Sequence, residues 1–405
     1  MNPLIKSCIP VALAFIIGLG LPKTFTILYI ILLITYYTCL TNGSWKFTRP
    51  LAISTFTLFL FGISYSVIQI WHSVWTPWSS YLPEIVAVSI LPAACLNAGW
   101  LVGTQPSSKS TVSLNAYIVG CLIYSLLCIL RSHQPWWNLM QTIQHVALVP
   151  WGDPQWLSIR AIEQRGFLSF AYLASVATLF QIDRAKKNSI IICCILGLIG
   201  LYITYSTQSR IGLFTLYLML IPNLYLQSSR FLKLAALAAA IVPLIAGLLS
   251  GLICDERIGL VINFVREMPK GLMGGRVITF PYKSCISYER LSFGSNINTD
   301  AFTPHNVILD VYNDAGIIPF SLLLVAVIIL SIMWINSFSK CLRSEGLSFE
   351  LSMRWAIFCV LFVQWVAQPF MYTDQLMFSL GFWFLGLTLR EFNSCQKRSV
   401  ELNMS

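Results

Sequence analysis

Apolar runs of roughly 16 to 20 residues recur along the whole chain, each long enough to cross a hydrocarbon core about 30 Å thick as a helix rising about 1.5 Å per residue. Such a run folds as a helix in lipid, because no water is present there to bond a free backbone N–H or C=O. Charge points the same way. Of 405 residues, 57% are hydrophobic and only 10% are charged, whereas soluble domains carry roughly 25% charged residues. The alternating segments of about ten residues that mark a membrane β-barrel are not seen. The expected fold is an all-α polytopic membrane protein, a single transmembrane domain over residues 1–405.

About twelve spans are expected, near 8–20, 24–41, 51–70, 84–101, 113–130, 166–182, 188–206, 211–227, 234–253, 307–337, 355–370 and 375–391. The first follows Lys6 without a small-x-small cleavage site, and Pro22 and Lys23 lead straight into the second, so a signal-anchor helix is expected. With the N-terminus on the inner side, the inner segments hold Lys6, Lys46, Arg49, Lys109, Arg184, Lys186, Lys187, Arg230, Lys233, Lys340, Arg343, Arg354, Arg390, Lys397 and Arg398. Only Asp183, Glu345, Glu350, Glu391 and Glu401 oppose them there. The excess of basic over acidic residues inside sets both termini in the cytoplasm by the positive-inside rule. The net charge of +10 is therefore read as topology, and no motif or basic stripe points to nucleic acid.

The outer segments are unequal. Residues 71–83 carry Trp71, Trp75 and Trp78, which read as anchors at the headgroup level. Residues 131–165 form one larger outer loop, and residues 254–306 form the largest, lying between the ninth and tenth spans. An insertion of that size among tight hairpins suggests function. Ten of the 12 cysteines fall in or beside spans or in inner loops, while Cys254 and Cys285 share the largest outer loop and could pair in an oxidising compartment.

Three elements on the outer side carry chemistry. Arg210 closes a short turn, Thr207-Gln208-Ser209-Arg210, where a lone arginine ordinarily snorkels to headgroups. Arg276 follows Gly274-Gly275 early in the large loop. Pro304-His305-Asn306 opens the tenth span, and Gly316 comes 11 residues after His305, close to three helical turns. Asn306, Asp310 and Asp314 follow at four-residue spacing, a polar stripe entering the membrane, where ionisable groups are costly.

In these elements the chain resembles the O-antigen ligase and O-antigen polymerase superfamily of bacterial envelope glycan assembly. The ligase pattern of His-(Asn/Ser/Gln), nine residues, Gly, two residues and then Gly, Thr or Tyr is met by His305, Asn306 and Gly316, while Pro319 stands at its last position. The superfamily's arginines in a short outer turn and early in the large outer loop are matched by Arg210 and Arg276. The resemblance covers about residues 190–340, and the first half of the chain matches only as a run of spans. It implies an inverting, metal-independent glycosyltransferase at the periplasmic face of the inner membrane, with a glycan on undecaprenyl diphosphate as donor. A ligase passes the glycan to lipid A-core in lipopolysaccharide biosynthesis; a polymerase passes it to another lipid-linked repeat unit.

The residue types suit that chemistry. A departing diphosphate needs cations, and arginine binds its oxygens in a bidentate way. Arg210 and Arg276 are candidates for that role. His305 is a candidate base for the sugar hydroxyl, since an unperturbed imidazole titrates at about pH 6.5. Asn306 would orient the histidine or an acceptor hydroxyl. No zinc-type Cys/His cluster stands in the outer segments, no Gly-rich phosphate loop precedes a helix, and no Gly-x-Ser-x-Gly elbow occurs, so neither metal nor other cofactor is expected. A transporter of lipid-linked glycan is the alternative from another class. It would place charges mid-membrane in several helices and commonly shows internal repeats, and none is evident here.

Overall fold

The structure is a computed structural model that describes residues 3–19, 27, 28, 30–32, 35, 48–74, 76–103, 107–131, 195, 198, 199, 261, 262, 264–266, 304, 306–345, 349–367, 371, 375 and 378–390. Among these residues the regular structure is helical throughout, with no strand. The helices are α1 (Pro3–Gly18), α2 (Arg49–Trp71), α3 (Leu82–Ser89), α4 (Leu91–Val102), α5 (Ser107–Arg131), α6 (Val307–Ala315), α7 (Ile317–Glu345), α8 (Phe349–Ala367) and α9 (Phe378–Arg390). Two of them, α2 and α7, are long and apolar enough to cross a membrane, and the bent pair formed by Trp78–Ser89 and Leu91–Val102 makes a third if taken as one span.

The outward faces of these helices are as apolar as their inward ones. Val325, Ile328, Ile332 and Ile335 form an exposed stripe on α7, and Ile53, Phe56, Ile63 and Val67 do the same on α2. A helix that is hydrophobic all round belongs inside a large core or a bilayer.

Backbones come close where side chains are absent. Gly18 of α1 abuts the Tyr117 carbonyl of α5, and Gly120 of α5 returns the contact against Phe15 and Leu19. Gly99 of α4 lies on the backbone of Trp383 and Leu387, and Gly386 of α9 lies on Leu96 and Trp100. Small residues at such crossings are the usual means of packing helices in lipid, where burying apolar surface gains nothing. Aromatic rings fill the wider gaps. Trp334 stacks on Phe338 and Phe358 at 5.1 and 4.1 Å, and its indole N–H donates to Thr388 Oγ1 at 3.0 Å. Tyr117 meets Trp383 and Phe384 edge-on at 5.5 and 4.9 Å.

Two stretches that hydropathy reads as single spans are broken. The fourth expected span, 84–101, divides at Ile90 into α3 and α4, which meet at a 45° bend. Pro92 explains it, because proline has no N–H to give the Val88 carbonyl and its ring crowds that oxygen. The tenth, 307–337, divides at Gly316 into α6 and α7. There Gly316 has φ 80° and ψ −166°, a conformation essentially confined to glycine. Arg354, expected in an inner loop, instead sits buried in the second turn of α8. Residues 132–165 and most of 254–306 lie outside the described residues, as do most residues of the expected spans 24–41, 166–182, 188–206, 211–227 and 234–253.

Candidate functional site

Helix α6 is built to start and stop abruptly. Asn306 is its N-cap, in extended conformation, and its side-chain Oδ1 accepts from the backbone N–H of Ile308 at 3.1 Å and of Leu309 at 3.2 Å. Asparagine is among the best residues for this task, since it satisfies N–H groups that have no partner within the helix. The amide Nδ2 donates to the Val366 carbonyl near the end of α8 at 3.4 Å. After the nine residues of the helix the backbone turns at Gly316, whose N–H donates to the Tyr312 carbonyl at 2.9 Å. The helix is therefore about 14 Å long, near half the thickness of a hydrocarbon core.

The buried residues of α6 include polar ones among apolar ones. Asp310, Asn313 and Asp314 are all buried. Asp310 falls in the first turn, where the helix dipole favours a negative group. The Asp314 carboxylate accepts from the Tyr65 hydroxyl of α2 at 2.8 Å, and its backbone carbonyl accepts from Gln69 Nε2 at 3.2 Å. These contacts place the start of α7 beside the end of α2, so the two long helices, which pack along each other, run in opposite directions. Phe264, from within the large loop of the sequence, is fully buried and meets Tyr312 edge-on at 6.3 Å. Tyr312 in turn meets Phe320 at 5.3 Å across the break. The described end of that loop segment is thus anchored on α6 by Phe264, while Arg266 two residues on is exposed.

Of the expected site residues, Asn306 is described and its amide oxygen is engaged as the cap of α6. His305, Arg210 and Arg276 lie outside the described residues, as do Cys254, Cys285 and Trp75. Trp71 and Trp78 are exposed, 77% and 60%, as interfacial anchors would be. Sequence reasoning passed over Tyr65 and Gln69, whose span it treated only as an apolar run. Their four-residue spacing within that run was the available signal, because it sets two polar groups on one face.

A cleft of about 440 Å³ opens between α2 and α4, lined by Ala52, Thr55, Phe56, Phe59, Ala93 and Asn97 among others. Across it Thr55 Oγ1 donates to Asn97 Oδ1 at 3.1 Å. Thr55 lies ten residues before Tyr65, so the cleft opens about 15 Å along α2 from the polar contact with α6. Compared with known proteins, the chain matches no family model and no curated sequence.

Proposed function

We propose that this chain is a membrane-embedded glycosyltransferase, an O-antigen ligase that passes a glycan from undecaprenyl diphosphate to lipid A-core at the periplasmic face of the bacterial inner membrane. About twelve spans with both termini cytoplasmic would put Arg210, Arg276 and His305 on that face, the last two in or beside the large periplasmic loop 254–306. The observation that carries the reading is the His305-Asn306 to Gly316 element, whose asparagine caps a half-length helix and whose glycine ends it. Asn306 occupies the first free N–H groups of α6 itself, so what the helix start offers an anion such as a diphosphate is the positive end of its dipole.

In the proposed reaction an acceptor hydroxyl attacks the anomeric carbon of the donor from the face opposite the diphosphate. The new C–O bond forms as the old one breaks, and the leaving diphosphate keeps the electron pair. His305 takes the hydroxyl proton, while Arg210 and Arg276 hold the diphosphate oxygens and neutralise the charge developing on them. Asn306 contributes by fixing the chain that presents His305. No metal or cofactor takes part in this scheme. The apolar cleft between α2 and α4 is of a kind that accommodates a hydrocarbon chain.

Two other readings remain distinct outcomes of one experiment. A polymerase would extend lipid-linked repeat units, and Pro319 at the last ligase position favours that variant. A transporter of lipid-linked glycan is favoured by one observation, the two broken helices α3–α4 and α6–α7, since discontinuous helices often line transport sites. Purified protein is given undecaprenyl diphosphate-linked glycan, with lipid A-core in one tube and no second acceptor in the other. The ligase reading expects product only with lipid A-core, falling by about 10²-fold or more in His305→Ala. Laddered lipid-linked product without lipid A-core identifies a polymerase. No product in either tube, where a ligase of known activity works, counts against transfer.

A further inference from the structure

We propose that the Tyr65–Asp314 hydrogen bond is a positioning contact that sets α6 against α2 and thereby fixes where its Asn306 end stands; its consequence for catalysis rests on the transferase reading above. The break at Gly316 separates α6 from the long helix α7, so the continuous backbone does not by itself dictate the direction of α6. Its upper end is tied by a 3.4 Å bond from Asn306 to Val366. Its lower end is tied more closely, by Tyr65 at 2.8 Å and Gln69 at 3.2 Å on the same residue, Asp314.

Both groups of the Tyr65–Asp314 pair are buried, and a hydrogen bond to a carboxylate in low-dielectric surroundings is strong and directional. The nine residues of α6 act as a lever about 14 Å long. A tilt of about 5° at Asp314 would move the Asn306 end by about 1.2 Å, and misplacements of about 1 Å far from the chemistry can cost about 10²-fold in rate. Tyr65 and Asp314 are positioning residues in this account. Neither touches substrate.

The test uses the full-length protein and Tyr65→Phe, which removes one hydroxyl, with Asp314→Asn and Asp314→Ala beside it. Asparagine keeps an oxygen to accept from Tyr65 and alanine does not. The readout that does not depend on transfer is labelling of His305→Cys by a membrane-impermeant maleimide, with Cys254 and Cys285 replaced by serine and the parent without the 305 cysteine as control. Tyr65→Phe is expected to change the labelling rate by about threefold or more, as a shift in α6 alters access to its start. In enzyme retaining His305, Tyr65→Phe and Asp314→Ala should each lower kcat by about tenfold or more with KM within about twofold, the pair together should cost no more than either alone, and Asp314→Asn should restore most of the loss. An unchanged labelling rate overturns the proposal whatever transfer does, and so does a pair of variants whose effects simply multiply. Altered labelling in a protein whose wild type transfers nothing keeps the contact and overturns only the transferase reading.

Discussion

The break at Ile90 and the break at Gly316 both interrupt a stretch whose hydropathy reads as one span, yet they differ in cause and in what surrounds them. At Ile90 a proline removes a backbone donor and bends the helix by 45°. The bend rests on Gly62 of α2, and the Ser379 hydroxyl of α9 donates to the Ala87 carbonyl at 2.5 Å. At Gly316 a glycine-only backbone conformation does the work, and the helix it ends carries two buried aspartates and a buried asparagine. The first break is a packing device in which the Ser379 hydroxyl satisfies the Ala87 carbonyl, in keeping with what lipid requires. The second holds ionisable groups inside an apolar bundle, an arrangement that is expensive and marks function by default.

That contrast can be broken by substitution. The largest structural effect is expected for Gly316→Val, since a β-branched residue cannot sit at φ 80° and ψ −166° without a strain of about 1–3 kcal/mol; thermal unfolding in detergent should show it, with transfer abolished as α6 is reoriented. A wild-type melting curve for that variant would mean the break does not depend on glycine. Gly62→Ala comes next, because a Cβ there would meet the Val88 and Ser89 backbones, and forcing that contact apart costs about 1–3 kcal/mol. Here stability should fall while the catalytic constants of the surviving folded protein hold. A selective loss of kcat would give the Ile90 break a role it is denied above.

Smaller effects sharpen the comparison. Asn306→Ala should cost about 1 kcal/mol as a lost cap, and Asn306→Asp, which can still accept from Ile308 and Leu309, should recover much of it in the same unfolding measurement. Equal losses in both variants would show that capping is not what the side chain supplies. Ser379→Ala should cost about 1 kcal/mol or less and leave transfer unchanged, in keeping with a bond that serves only the bend.

The helical class and the place of α2 were legible from apolar run length alone, because a span's length is dictated by the bilayer and needs no knowledge of neighbours, while α5 (Ser107–Arg131) and α8 (Phe349–Ala367) overlap the expected spans 113–130 and 355–370 but start earlier. The start of α6 was legible too, since Pro304 and Asn306 act on the backbone within a few residues. Hydropathy could not report the breaks, because it averages over a window and gives a bent apolar stretch the same value as a straight one. Nor could it report why Asp314 is tolerated in the bundle. The partner that makes it so, Tyr65, stands 249 residues away along the chain, and which of many polar groups meets which is decided only when the helices pack.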